Sequence, residues 1–126
     1  MTDFSVFYQS SQGTQNAPLC LIQTAKHILS IPLGKILFIE SRQKHSILHL
    51  KTESIALSMP LYRILEQLPA DAFLQTHRSF LVNLNHISHI DKSRDPWTIS
   101  FMGSDKVAFV SRSFRHQVMQ RLTLSD

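Results

Sequence analysis

The sequence predicts a mainly antiparallel β domain with two small helices. Three observations predict it. Short runs rich in Val, Ile, Leu and Phe recur along the chain, clusters of Gly, Pro, Asn, Asp or Ser separate them at turn spacing, and only two stretches space their apolar residues as a helix does. A chain of 126 residues that is 43% apolar and 17% charged fits one globular domain and not a disordered segment.

Taken in order, Phe4, Val6, Phe7 and Tyr8 fit a short strand, and the polar stretch from Ser10 to Pro18 reads as a linker or long turn. Residues 1–18 are therefore a tail that docks on the domain or the remnant of a connection, and the domain itself is placed at 19–126. Leu19–Thr24 and His27–Ile31, joined at Ala25-Lys26, suggest a hairpin. Ile36-Leu37-Phe38-Ile39-Glu40 is apolar on both parities, the mark of a strand covered on two sides. Ser41–Ser46 is read as a polar, basic loop, Ile47–Thr52 as a strand, Glu53-Ser54 as a turn and Ile55–Leu57 as a strand.

The clearest helix follows. Leu61, Ile64, Leu65 and Leu68 recur at i, i+3, i+4 and i+7, with Ser58 as the expected N-cap, Pro60 in the first turn and Pro69 as the stop. Burying those four side chains would contribute roughly 1.5–3 kcal/mol each, so the helix is expected to plug against a sheet. Further on, Ile87–Ile90 is a short strand, and Trp97, Ile99 and Phe101 alternate with Thr98 and Ser100. A turn at 102–105 leads back through Lys106–Val110. Phe114, Val118 and Leu122 then mark a short C-terminal helix with Ser113 as its expected cap.

One stretch resists this scheme. In Phe73–Asn83, one strand parity holds Leu74, Thr76, Phe80 and Val82, a good core face, but with Arg78 in its middle. An arginine buried without a partner is costly. The strand is therefore expected to break at His77-Arg78-Ser79 and present Arg78 outward. A local rule broken amid consistent patterning is a first place to suspect function.

Composition narrows the function classes. Thirteen Lys and Arg against nine Asp and Glu leave a net charge of +4, a modest excess that permits nucleic-acid binding without requiring it. The single cysteine, Cys20, sits among Leu19, Leu21 and Ile22 and reads as a small buried apolar residue. The N-terminus lacks the basic and apolar regions of a secretory signal, and no apolar run approaches a membrane span, so a cytoplasmic protein with no membrane partner is expected. No nucleophile elbow, phosphate loop or metal-ligand spacing is present, so an enzyme, a metal centre and a cofactor are not expected. His86 and His89 make a poor metal pair, and Trp97, Phe101 and Phe109 are better explained as core than as a base-stacking platform.

Three basic segments interrupt the apolar pattern: Arg42-Gln43-Lys44-His45, His77-Arg78-Ser79 and Arg112-Ser113-Phe114-Arg115-His116. Each lies at an element boundary and contains no acidic residue. Arg, Lys and Ser are the side chains that hydrogen-bond phosphates, and Arg also reads guanine bidentately.

The succession Phe38-Ile39-Glu40, an apolar helix ending Leu68-Pro69, His77-Arg78-Ser79-Phe80-Leu81-Val82-Asn83 and Ser111-Arg112 resembles the LytTR family of bacterial DNA-binding domains, most often the output half of two-component regulators. The resemblance covers about Leu19 to Leu122. It implies an elongated stack of small antiparallel β-sheets with one short central helix and a short C-terminal helix, gripping double-stranded DNA with loops between strands. It places DNA contacts at Arg42, Lys44 or His45, at Arg78, and at Arg112, with Arg115 secondary. Some members carry their C-terminal arginine two places after the serine, where this chain has Ser113, so which C-terminal side chain reaches a base stays open. His77 is expected to brace its turn and Asn83 to tie another.

The expected function is sequence-specific binding of double-stranded DNA at promoter repeats by a bacterial transcriptional regulator. Repeated half-sites would favour a homodimer, and with no receiver domain expected ahead of this part the chain would be either a free-standing regulator or a fragment of a longer one. The alternative is a protein-interaction or ligand-sensing module on the same fold. Salt-sensitive binding to random duplex DNA distinguishes the two.

Overall fold

The computed structural model describes residues 3–8, 18–23 and 25–123. Among these residues, eleven strands form three antiparallel sheets. The first contains β1 (Asp3–Tyr8), β2 (Pro18–Gln23) and β3 (Ile28–Pro32), in that order. The central sheet draws on β4 (Phe38–Arg42), β5 (His45–His49), β6 (Ser54–Leu57), β7 (Phe73–His77) and β8 (Phe80–Asn83), in the order β6-β5-β4-β8-β7. The third contains β9 (Ile87–Asp91), β10 (Trp97–Phe101) and β11 (Val107–Val110), with β10 in the middle. Two helices complete the fold, α1 (Leu61–Leu65) and α2 (Arg115–Thr123). Most of the stretch expected as a linker, residues 10–17, lies outside the described residues, and Pro18 opens β2.

The central sheet has a hydrophobic core on each side, which explains its two-sided apolar sequence. β4 is its middle strand: Phe38 lies opposite His49 and Val82, and Ile39 opposite Leu48 and Leu81. Ile36, Ile39, Leu48 and Leu81 pack with Cys20, Ile22 and Ile31 of the first sheet and with Leu61 and Ile64 of α1. Phe38, Phe80 and Val82 pack instead with Ile99 and Phe101 of β10, Ala108 and Val110 of β11, and Val118 of α2. In β8, Phe80, Leu81 and Val82 therefore serve the two cores alternately, as a period of two demands. Cys20 is buried, and loss of water around it pushes its thiol up to about 12, an inert group.

Five sequence expectations change. The helix α1 is shorter than its apolar spacing suggests, and its N-cap is Pro60, not Ser58. The ring of Pro60 disfavours helical geometry at Met59, so Ser58 cannot begin the helix, and Pro69 does the same to Leu68. Leu68 is still buried, but Leu65 is 38% exposed, so three of the four expected core positions are filled. The basic stretch 41–46 is not a loop: Arg42 and His45 face each other across paired strands, leaving Gln43-Lys44 as a two-residue turn. Gln43 has φ 60°, the positive first position of a tight hairpin turn. At the other end, a 3₁₀ turn over Arg112–Phe114 precedes α2 and begins after Ser111, so Ser113 lies inside it instead of capping a helix.

His86 falls in a 3₁₀ turn at Leu84–His86 and hydrogen-bonds the carbonyl of Gly34, while His89 lies exposed on β9. Among the described residues, no group of three or more His, Cys, Asp or Glu is placed to hold a metal ion. No helix of the described residues is long and apolar enough to cross a membrane.

Candidate nucleic-acid interface

The stretch Phe73–Asn83 is a β-hairpin. β7 and β8 pair antiparallel, His77 faces Phe80, and Arg78-Ser79 is the turn between them. Arg78 is exposed and, among the described residues, makes no hydrogen bond or ion pair. The ring of His77 fixes the turn from inside: its Nδ1 accepts from the Ser79 N–H at 3.0 Å, and the ring meets Phe80 edge-on with centroids 5.4 Å apart. The break in the core pattern at Arg78 is thus the tip of a hairpin whose legs are both in the core.

Two backbone hydrogen bonds gather the other basic segments around this tip. On one side, the Ser41 N–H donates to the Ser79 carbonyl at 2.8 Å, joining the tip to the end of β4 and the Gln43-Lys44 turn. On the other, the Ser111 N–H donates to the Thr76 carbonyl at 3.0 Å. A register shift between Gln75 and His77 makes this second link: Thr76 has no partner in β8 and turns toward β11, its hydroxyl donating to the Phe109 carbonyl at 2.8 Å. Arg42, Lys44 and His45, then Arg78, then Arg112 and Arg115 thus share one end of the central sheet. A depression of about 300 Å³ between the first two turns is lined by Ser41, Gln43, Tyr62, Leu65, Gln75 and Arg78.

The charges at this end are not equally free. Arg42 reaches Glu40 at 3.4 Å, while Lys44 and His45 are exposed on the hairpin. Arg112 binds Asp95 through Nε at 2.7 Å and Nη2 at 2.6 Å, and Arg115 Nη2 meets the other oxygen of Asp95 at 2.7 Å. The Arg115 guanidinium also lies 4.7 Å from the Trp97 ring, and the Lys92 ammonium lies 5.5 Å from the same ring. The sequence did not single out Asp95, Trp97 or Lys92 as part of a DNA-binding site. The stretch 91–96 carries two Asp, a Lys and an Arg, but nothing in it signals that it folds against the C-terminal arginines.

Asn83 lies at the far end of β8. It is 2% exposed, donates through Nδ2 to the Ile36 carbonyl at 2.9 Å and accepts the Asn85 N–H at 3.0 Å. It joins the start of β4 to the turn after β8, away from the basic end.

Two histidines in the central sheet are held below their ordinary value of 6.5. Burial does this to His49, against a hydrogen bond from Nε2 to Glu40 at 2.9 Å that favours the charged ring. Burial also lowers His77, and the Arg78 charge lowers it further. Just below pH 6.5 the unfolded chain therefore binds more protons than the folded one. The stability from the neutral rings is complete above that pH and is lost as pH falls toward the lowered folded values. A urea midpoint measured from about pH 7 to about pH 5.5 should fall. A midpoint that held or rose would contradict the buried neutral rings.

Stacked antiparallel sheets thus present arginine-bearing turns at one end of the domain. The comparisons with known proteins give the family. The model of the LytTr DNA-binding domain matches residues 26–123. The chain is 32% identical over 72 residues to the transcriptional regulatory protein YpdB of Escherichia coli, covering 57% of this chain and 28% of that protein. It is 30% identical over 78 residues to the transcriptional regulatory protein NatR of Bacillus subtilis, covering 61% of this chain and 34% of that protein. It therefore spans about a third of the length of these curated relatives. A LytTr DNA-binding domain structure from Bacillus cereus superposes with a TM-score of 0.73 at 23% identity, covering 84% of this chain and 97% of that one. The chain belongs to the LytTr DNA-binding domain family.

Proposed function

We propose that this domain binds double-stranded DNA sequence-specifically through its turns, and that it regulates transcription from promoter repeats inside the cell. The observation that carries this reading is the pair of backbone hydrogen bonds, Ser41 to Ser79 and Ser111 to Thr76, which bring three basic segments to one end of the central sheet. A two-residue hairpin tip is narrow enough for a major groove about 12 Å wide. Arg78 and Arg112 take the base-reading roles, Arg42, Lys44 and His45 face the phosphates, and Arg115 is secondary. His77 and Asn83 hold the scaffold. Both named relatives are transcriptional regulatory proteins, which supports the regulatory part. Two copies on adjacent half-sites would form a homodimer on DNA.

Titration against random duplex DNA at several salt concentrations tests the electrostatic part. Five Lys and Arg in the three segments predict a slope of log K against log salt of about −3 to −5. Lys44→Ala should weaken binding to all sequences alike and flatten that slope by about 1. Absence of binding at about 50 mM salt would overturn the reading and favour a protein-interaction module.

A further inference from the structure

We propose that Asp95 is a positioning residue that aims Arg112 at a guanine, and that Arg115 serves to hold Asp95 in place instead of reading DNA itself. This rests on the DNA-binding reading above and assigns the base contact to one C-terminal arginine.

A guanidinium offers two bidentate edges, one made by Nε–H with the neighbouring Nη and one made by the two Nη groups. Asp95 Oδ2 accepts from Nε and Nη2 of Arg112 at 2.7 and 2.6 Å, so it occupies the first edge. The second edge remains open on a side chain that is 79% exposed. That open edge carries two parallel N–H groups that can meet O6 and N7 of guanine. A carboxylate that blocked DNA would be expected on the outer edge, and this one grips the inner edge.

Arg115 has the opposite environment. Its side chain is 29% exposed, its guanidinium packs against Trp97, and its Nε is buried without a hydrogen-bond partner. It pairs with the Oδ1 of Asp95 at 2.7 Å. The order is thus Trp97, Arg115, Asp95, Arg112, from partly buried ring to exposed guanidinium. Each member restricts the next, and the long side chain of Arg112 would otherwise sample many rotamers in water. With two cations on one carboxylate the cluster stays net positive toward phosphate, and Lys92 beside Trp97 adds to that.

The test uses the full chain and two ligands: a duplex selected from random sequence by the wild-type protein, and unselected random duplex. The measured quantity is the ratio of the two affinities. Asp95→Asn should lower that ratio about tenfold. Affinity for random duplex should hold or rise, because a negative charge has left a phosphate-facing surface. Asp95→Glu should recover part of the ratio, and in an Arg112→Ala background Asp95→Asn should change it little. A ratio unchanged in Asp95→Asn overturns the inference alone, and so does an equal drop with and without Arg112. A wild-type ratio near one overturns the DNA-binding reading and this inference with it. Asp95 lies in an exposed loop, so thermal midpoints should match wild type and show that the variants are folded.

Discussion

Replacing Arg78 by alanine should cost about 1–3 kcal/mol of affinity for a selected duplex and relax base preference at one position. The side chain stands at the tip of the β7–β8 hairpin, exposed and without a partner among the described residues. Its removal leaves no buried group unpaired, and the turn keeps its own support because His77 Nδ1 still accepts the Ser79 N–H. Stability should therefore stay within about 0.5 kcal/mol of wild type, as for other exposed positions. Base reading and phosphate binding make different patterns here. A lost base contact weakens the selected duplex and flattens preference at one base pair, whereas a lost phosphate contact weakens every duplex equally. Measuring affinities for the selected duplex and for every single-base variant of it separates them. If Arg78→Ala keeps the wild-type affinity and the wild-type preference, Arg78 is not the reader.

The architecture could be read from the sequence where side chains report on burial. Two-sided apolarity at Ile36–Ile39 signalled a strand between two cores, and the structure puts Ile39 in one and Phe38 in the other. The misfit of Arg78 in an apolar parity signalled a break, which is the tip of a hairpin. Local steric effects were harder to see. Pro60 and Pro69 trim α1 at both ends, so apolar spacing overstated its length and counted Leu65 as core. A polar composition at 41–46 suggested a loop, yet Arg42 and His45 are paired across strands, because charged side chains at the turn end of a hairpin can point to water while their backbone is in the ladder.

The three basic segments were each visible, but what unites them was not. The bonds from Ser41 to Ser79 and from Ser111 to Thr76 join backbone groups, which every residue carries, so no side-chain pattern announces them. Asp95 is 17 residues from Arg112 and 20 from Arg115, beyond the reach of any local spacing rule. Read along the chain, the C-terminal segment has no acidic member, and only folding brings one to it. This matters for the interface, because an arginine held by a carboxylate and an arginine free in water differ in freedom even when equally exposed.

Phe38 sits among three rings on the middle strand of the central sheet. Phe38→Ala should destabilise the domain by about 3–5 kcal/mol. Phe38 is 2% exposed and sits on β4, hydrogen-bonded between β5 and β8. Its ring stacks on His49 with centroids 4.4 Å apart and on Phe101 at 5.0 Å, and meets Phe80 at 5.8 Å. Alanine would remove three ring contacts at once from the middle strand of the central sheet, whose ladders limit how far the neighbours can close the void. Against a total stability of about 5–15 kcal/mol, that loss is a large share. It should lower the thermal midpoint by about 10–20 °C in a domain of this size. The ring also shields His49, whose value is depressed by burial, so His49 should titrate closer to its ordinary range in the variant. Thermal unfolding and the pH titration of the His49 ring signal, measured on the same protein, read these two effects independently. A loss under about 1 kcal/mol with His49 unmoved would mean that the second core closes over the gap, and that the stacked rings do not hold β4 in place.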